Sequence, residues 1–272
     1  MCGICGFAFS DTGRPADTDR LVRMRNTIVH RGPDGVGLYA SHGVALGHTR
    51  LSIIDVQGGA QPLSNEDGTV WVTFNGEIYN YRELSRELTQ RGHRFRTHSD
   101  TEVLVHAYEE YGPSFAARLN GIFALAIHDA RRDRTVLIRD HFGIKPLFYT
   151  VTSEGLFFGS EIKAVLAGAE RPAIARRESL AEYLTFRYVA GSHTFFDGVH
   201  RLLPGHLAVW EHGALQIHAY WEPPAGSPDT AMSLEEATEL LRGHLDRSVD
   251  AQMMSEVPLG TFCSGGIDSG LA

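Results

Sequence analysis

The chain begins MCGICGFAFS, and three fates are open to Cys2: a core thiol, half of a Cys-x-x-Cys metal or redox pair, or a nucleophile that works once Met1 is removed. The third carries its own base. Aminopeptidases that trim initiator methionine accept small second residues, and the α-amino group then freed on Cys2 has a reference pKa of about 7.7–8.0, close enough to neutrality to take the thiol proton and return it to a leaving amine. Position alone favours the core thiol, because an isolated cysteine is commonly a packing residue. The pair reading for Cys2-Gly3-Ile4-Cys5 needs two further ligands or a helix N-terminus beside the thiols. No second Cys or Cys/His pair accompanies it and the residues after Cys5 read as strand, so no metal ligand is assigned.

Three other constellations bear on chemistry. In FNGEIYN, Phe74 to Asn80, the pair Asn75-Gly76 reads by itself as a turn at a strand end. For a carboxamide substrate, however, a side-chain amide beside an unobstructed glycine N–H is the donor pair that a tetrahedral oxyanion requires. Arg50 in GHTRLSIID would fork onto a substrate carboxylate, while Glu77 and Asp100, the latter in HSDTE at a predicted helix start, would receive an ammonium. Each charge taken alone is more often a solvated or paired surface group. Finally, SGGIDS, Ser264 to Ser269, follows the apolar run Val257 to Cys263, read as a short strand. A glycine-rich turn leaving a strand points N–H groups at an anion, with the Ser264 and Ser269 hydroxyls as further donors, unless it is a flexible terminal loop. It lacks the Gly-Lys-Ser/Thr ending of a Walker-type loop.

These residues need elements to hold them. Short runs rich in Val, Ile, Phe and Tyr recur from Ile4, Val36, Val70, Ile122, Arg134 and Leu147, and read as strands. YRELSRELTQRG has helical spacing at Leu84 and Leu88 and stops at Gly92; SDTEVLVHAYEEYG opens on a Ser99 or Asp100 cap and stops at Gly112. RRESLAEYLTFRYV reads as another helix, followed by strand and turn material. Without regular strand-helix alternation, the pattern predicts an α+β domain with antiparallel sheets. WEPPAGSPDT is the linker candidate, three prolines in ten residues, and a Ser233-x-x-Glu236 capping box then opens a further helix.

At 272 residues and 43% hydrophobic content the chain supports one large core or two modest ones. A formal charge of −8 lacks the basic stripe that nucleic acid or an anionic membrane would require, so neither is an expected partner. Three cysteines cannot all pair within one chain, and neither a signal peptide nor a membrane span is read from the sequence; a cytoplasmic location is expected.

Taken in order, MCGICG, HRGPDG (30–35), GHTRLSIID (47–55), FNGEIYNYREL, HSDTE, LNGIFALAIHD, IRDHFGIKPLFY, FGSEIKAVL, RLLPGH and YWEP together resemble the glutamine-hydrolysing asparagine synthetase family across essentially the whole chain. The resemblance implies a class II glutamine amidotransferase domain over residues 1–220, with the four-layer αββα sandwich of the N-terminal-nucleophile hydrolases. A Pro-rich linker at 221–232 and the start of an α/β ATP-pyrophosphatase domain at 233–272 would follow. It implies Cys2 as glutaminase nucleophile with its free amine as base, Asn75 and Gly76 as oxyanion hole, and L-glutamine held by Arg50, Leu51, Ser52, Ile53, Ile54, Asn75, Gly76, Glu77 and Asp100. The loop Cys263, Ser264, Gly265, Gly266, Asp268 and Ser269 would be part of an ATP site. The glutaminase step needs no cofactor; ATP, Mg²⁺ and aspartate belong to the full-length synthetase reaction, in which released ammonia becomes the amide of asparagine. Family members continue well beyond this loop, and the few residues after it are too short for the helix that anion binding requires. The chain alone is therefore expected to hydrolyse glutamine with little or no asparagine formation. A homodimer is left open. The rival reading is an amidotransferase-like scaffold or regulatory subunit of another ATP-dependent amide-forming enzyme, without its own catalysis; the joint presence of Cys2, Arg50, Asn75, Gly76 and Asp100 counts against it.

Overall fold

The computed structural model describes residues 1–226 and 231–271. In chain order the strands are β1 (Gly3–Phe9), β2 (Gly35–Ser41), β3 (Val44–Arg50), β4 (Leu63–Ser64), β5 (Val70–Ile78), β6 (Gly121–Asp129), β7 (Arg134–Arg139), β8 (Phe148–Val151), β9 (Gly155–Gly159), β10 (His200–Arg201), β11 (His206–Glu211) and β12 (Ala214–Ala219). The helices are α1 (Thr18–Asn26), α2 (Tyr81–Gln90), α3 (Glu102–Tyr111), α4 (Ile162–Ala169), α5 (Glu178–Phe186), α6 (Leu234–Gln252) and α7 (Ile267–Leu271).

The strands form two antiparallel sheets, ordered β10-β8-β9-β1-β3-β2 and β12-β11-β7-β6-β5-β4. The two-residue period of a strand explains the layering. On β1, Ile4 and Ala8 face the second sheet, meeting Leu46, Ala124 and Leu137, whereas Cys5, Phe7 and Phe9 face Leu21 and Met24 of α1 and Val165 of α4. On β5, Val70, Val72 and Phe74 pack under Leu84 and Leu88 of α2 and Val103 and Leu104 of α3. The order is thus helix, sheet, sheet, helix, with each fully buried aliphatic or aromatic side chain stabilising the fold by about 1.5–3 kcal/mol.

Several sequence expectations change here. Asn75 and Gly76 are not a turn: β6 pairs with β5 from Val70 to Ile78, so both lie inside the strand. Asp100 does not cap α3, whose N-cap is Thr101; its carboxylate is used elsewhere. Val257 to Cys263 forms no strand, because no neighbouring strand offers it a hydrogen-bonding ladder, and the residues after the glycine turn do form a short helix, α7. The capping box holds: Ser233 Oγ accepts from the Glu236 N–H at 3.2 Å, and Glu236 Oε2 accepts from the Ser233 N–H at 2.9 Å. Of the linker expected at 221–232, residues 227–230 lie outside the described residues, as does position 272 at the end of the expected third segment. Among the described residues, no helix is long and apolar enough to cross a membrane.

Candidate active site

Cys2 and Cys5 part company at β1. Residues three apart on a strand point to opposite faces, so Cys5 is buried among α1 and α4 while Cys2 sits at the strand's entrance, at the edge of the inter-sheet layer. Burial pushes the Cys5 thiol up to about 12, which leaves it inert as well as inaccessible. The Leu51 N–H donates to Cys2 Sγ at 3.3 Å, and the thiol lies 3.5 Å from the Leu51 carbonyl. Arg31 Nε donates to the Cys2 carbonyl at 2.9 Å and Arg31 Nη1 pairs with Glu161 at 3.1 Å, which pins the strand's first residues. Burial raises the Cys2 pKa; the Leu51 N–H, the chain's terminal ammonium, Arg50 and Lys145 oppose the rise. The thiol therefore needs a base close at hand. Met1, which carries the terminal amine here, is 58% exposed and accessible to removal.

The register of β5 prepares the second part of the site. Phe123 spends its N–H and its carbonyl on Asp140, on the side away from β5, so the Gly76–Phe123 pair is one of the non-hydrogen-bonded pairs of the ladder. Alternate N–H groups of β5 consequently point to its open edge. That of Phe74 donates to Gln61 Oε1 at 2.7 Å and that of Ile78 to Asp100 Oδ2 at 3.0 Å; the Gly76 N–H lies between them, aimed into the gap. Beside it, the Asn75 side chain is buried and its Nδ2 has no hydrogen-bond partner among the described residues. Two donors on adjacent residues are thus left unspent, and Gly76 shares a pocket with Cys2. Gly76 also has to be glycine: a Cβ there would run into the Ile122 carbonyl oxygen and come within 2.7 Å of Phe123 Cα. Gly76→Ala is expected to destabilise the fold by about 3 kcal/mol, as overpacking against a rigid strand does. Urea titration checks this, and a midpoint equal to wild type would show that the strands part easily.

A pocket of about 40 Å³ is lined by Cys2, Arg50, Leu51, Ile53, Ile54, Gly76, Glu77 and Asp100; the Asn75 side chain is not part of its lining. Ser52 is left out of it, its N–H donating instead to Asp34 Oδ2 at 2.8 Å. Arg50 does not present a free fork. Its guanidinium donates to the carbonyls of Val56 at 3.0 Å, Ile54 at 3.3 Å and Asp55 at 2.7 Å, so it shapes the loop Leu51–Gln61, and gripping a carboxylate would require trading some of these bonds. The acidic end is better prepared. Asp100 is 5% exposed; burial pushes its carboxyl up to about 7, with Glu77 adding to the rise and the Ile78 N–H opposing it. Burial likewise raises Glu77, against the pull of Lys145. Two carboxyls whose joint ionisation is suppressed make a receptive place for a cation.

Sequence reasoning missed Lys145, Gln61 and Asp140. Asp140 accepts the N–H groups of Phe123, Phe142, Ile144 and Lys145, folding the loop that brings Lys145 to Glu77 and Cys2. Within IRDHFGIKPLFY the alternation of charged and apolar residues gave no hint that one aspartate organises four amides. The remaining predicted residues are elsewhere. Cys263, Ser264, Gly265, Gly266, Asp268 and Ser269 lie on or beside an exposed turn, largely satisfied internally: the Ser264 N–H donates to Ser269 Oγ at 3.1 Å and the Gly266 N–H to Ser264 Oγ at 3.4 Å. The two regions do touch, since the Glu256 N–H donates to the Ile53 carbonyl at 3.0 Å and Glu256 Oε2 accepts from Val56 at 3.2 Å. A larger cavity of about 740 Å³ alongside, lined among others by Arg82, Arg86, Arg96 and Glu256, does not include Cys2.

The antiparallel αββα sandwich, with a cysteine at the entrance to its first strand, has counterparts among known proteins. The chain belongs to the glutamine amidotransferase domain family, which its residues 1–221 match, and residues 240–271 match the asparagine synthase family. It is 39% identical over 272 residues to a glutamine-hydrolysing asparagine synthetase of Bacillus subtilis (strain 168), covering 99% of this chain and 43% of that one. A glutamine-hydrolysing asparagine synthetase of Zea mays is 36% identical over 272 residues, covering 100% and 41%. The chain therefore spans less than half the length of these curated relatives. Among solved structures, a glutamine phosphoribosylpyrophosphate amidotransferase of B. subtilis complexed with ADP and GMP superposes with a TM-score of 0.60 at 18% identity, over 82% of this chain and 50% of that one. At that identity the likeness shows the sandwich fold.

Proposed function

We propose that this chain hydrolyses L-glutamine to glutamate and ammonia through a thioester on Cys2. The carrying observation is the convergence on one pocket of a half-buried thiol, the Gly76 backbone and two carboxyls lacking a cation, with the unpartnered Asn75 amide one residue from Gly76 on the same strand. Once Met1 is removed, the α-amine of Cys2 takes the thiol proton and the thiolate attacks the carboxamide carbon. The Gly76 N–H and Asn75 Nδ2 stabilise the oxyanion, the proton passes from the amine to the departing nitrogen, and ammonia leaves. Water then adds to the thioester, returns the thiol and gives glutamate. Asp100 and Glu77 hold the substrate ammonium, and the backbone of Leu51 to Ile54 with Arg50 frames its carboxylate. At about 40 Å³ the pocket is small for a whole glutamine, and the loop Leu51–Gln61 that borders it is the segment whose movement would widen it.

The match of residues 240–271 to the asparagine synthase family supports the wider reading. In the whole protein, residues 1–220 would release ammonia, 221–232 would link, and 233–272 would open an ATP-dependent domain that amidates aspartate, with Cys263 to Ser269 on the ATP phosphates. An electrophilic diazo- or chloroketone analogue of glutamine tests the glutaminase proposal: one adduct, on Cys2 and not on Cys5, is expected, and labelling elsewhere would remove its basis.

Asp100 gives a second test. A carboxyl whose folded pKa lies near 7, above its unfolded value of about 3.9, binds its proton more tightly in the folded state. Its contribution to stability is therefore greatest below about pH 4 and falls away as pH rises through about 7. Asp100→Asn keeps an acceptor for Ile78 and never ionises. Its thermal midpoint is expected to exceed that of wild type near pH 8 and to converge with it toward pH 4, while the KM for glutamine rises by about tenfold or more. An unchanged KM would show that Asp100 is not the ammonium's partner.

A further inference from the structure

Away from the active site, His93, His106 and Glu109 gather their ligand atoms in one place, and Glu66 stands beside His106. His106 and Glu109 lie one turn apart on α3, His93 is on the connection between α2 and α3, and Glu66 is on the turn between β4 and β5. The donor atoms of His93, His106 and Glu109 all lie within 4.8 Å of one another. His106 Nδ1 is 3.2 Å from Glu109 Oε2 and 3.8 Å from Glu66 Oε2, and His93 Nδ1 is 3.9 Å from Glu109 Oε2. Four ligands around a tetrahedral zinc, with metal-ligand bonds of about 2.0–2.1 Å, are separated from each other by roughly 3.4 Å. The separations of 3.2, 3.8 and 3.9 Å lie close to that spacing, and Glu66 would have to move nearer His93 to complete the four.

What surrounds the donors argues more strongly than the spacing. A metal-bound histidine normally gives its other ring nitrogen to a carboxylate, which fixes the tautomer and strengthens the ligand. Here both do so. His93 Nε2 faces Glu110 Oε2 at 3.3 Å, and His106 Nε2 faces Glu102 Oε1 at 3.8 Å. The carboxylates are aimed in the same way: Asn65 Nδ2 donates to Glu109 Oε1 at 2.8 Å, and the Arg94 N–H to Glu66 Oε1 at 3.1 Å, each leaving Oε2 for the cluster. Arg131, 3.7 Å from Glu109 Oε1, also lies on the outer oxygen. The His106 side chain is 0% exposed and its Nε2 has no hydrogen-bond partner, whereas Glu66 at 40% leaves a path in from solvent.

We propose that His93, His106, Glu109 and Glu66 form a site for a divalent transition metal of the zinc class. Two imidazoles favour such an ion over magnesium or calcium, which prefer all-oxygen shells. The site would staple the β4–β5 turn and the α2–α3 connection to α3. Between His93 and His106 run Ser99, Asp100 and Thr101, all pocket-lining, so the ion would brace the acidic wall of the active site from behind.

Cobalt(II) and zinc titrations of the full chain, freed of metal by chelation, test this. One equivalent of cobalt is expected to bind with the intense visible absorption of a tetrahedral ion, and zinc to displace it and raise the thermal midpoint. His93→Gln and Glu109→Gln should each abolish the cobalt spectrum and the zinc-dependent rise, while Glu110→Gln should weaken affinity by about tenfold through the ring it no longer orients. His93 is only partly buried, so its substitution tests ligation while sparing the core, and a far-ultraviolet spectrum equal to wild type confirms the fold. Absence of stoichiometric binding, a weak octahedral spectrum, a spectrum that survives His93→Gln, or a sulfur-to-cobalt charge-transfer band from Cys2 or Cys263 would each overturn the proposal.

Discussion

Cys2→Ala is expected to lower glutamine turnover by at least about 10⁴-fold while leaving the thermal midpoint close to that of wild type. The two halves of that expectation have different physical sources. The Cys2 side chain lies at the sheet's edge and, among the described residues, hydrogen-bonds only weakly to the Leu51 backbone, so removing it costs the fold little. Chemistry loses its nucleophile altogether, since Cys5 faces the other side of β1 with a thiol pushed up to about 12. Intact mass supplies a third arm. A wild-type preparation that retains Met1 should be as inactive as Cys2→Ala, because its nitrogen is then an amide with no basicity, although the thiol is present. Turnover that persists in Cys2→Ala would remove the thioester; turnover that persists with Met1 attached would leave the nucleophile and replace the base. Cys2→Ser should fall nearly as far as alanine, because an amine of pKa near 8 deprotonates an alkoxide precursor far less readily than a thiol.

The strands and helices α2, α3, α5 and α6 were legible from apolar spacing, capping and stops such as Gly92 and Gly112, whereas α1 and α4, which cover one side of β1, were not read, and β1 is buried on both faces. Local signals failed where tertiary pairing decides. Asn75-Gly76 has the composition of a turn, yet nine consecutive residues of β6 hold it straight, and that partner lies more than forty residues away. Asp100 has the composition of a helix cap, yet the Ile78 N–H at the edge of β5 claims it. In both cases the displaced residue is the one the site uses. Val257 to Cys263 shows the converse, a run with strand character and no neighbour to pair with. Arg50 was legible as a pocket residue but not as a loop organiser, because its three carbonyl partners belong to a segment without periodicity. His93, Glu66, His106 and Glu109 left no spacing signature, being gathered from a turn, a connection and a helix.

Asn75→Ala is expected to separate stability from catalysis in the opposite sense to an ordinary core substitution. A buried amide N–H without an acceptor costs the folded state about 1–3 kcal/mol, and truncation to alanine removes that cost along with the packing of a small polar side chain. The two changes nearly offset, so the urea midpoint should correspond to a stability within about 1 kcal/mol of wild type. Turnover should behave otherwise. If Asn75 Nδ2 waits for an oxyanion that exists only in the tetrahedral intermediate, its loss lowers kcat by about 10²–10³-fold and leaves KM almost unchanged, the signature of an interaction made only in the transition state. The Gly76 N–H, a backbone donor that no side-chain change removes, accounts for the activity that remains. A variant that is much less stable but turns over normally would make Asn75 a strut between the sheets. A rise in KM with kcat intact would move it to ground-state binding of the carboxamide, and Gly76 would then need a different partner in the oxyanion hole.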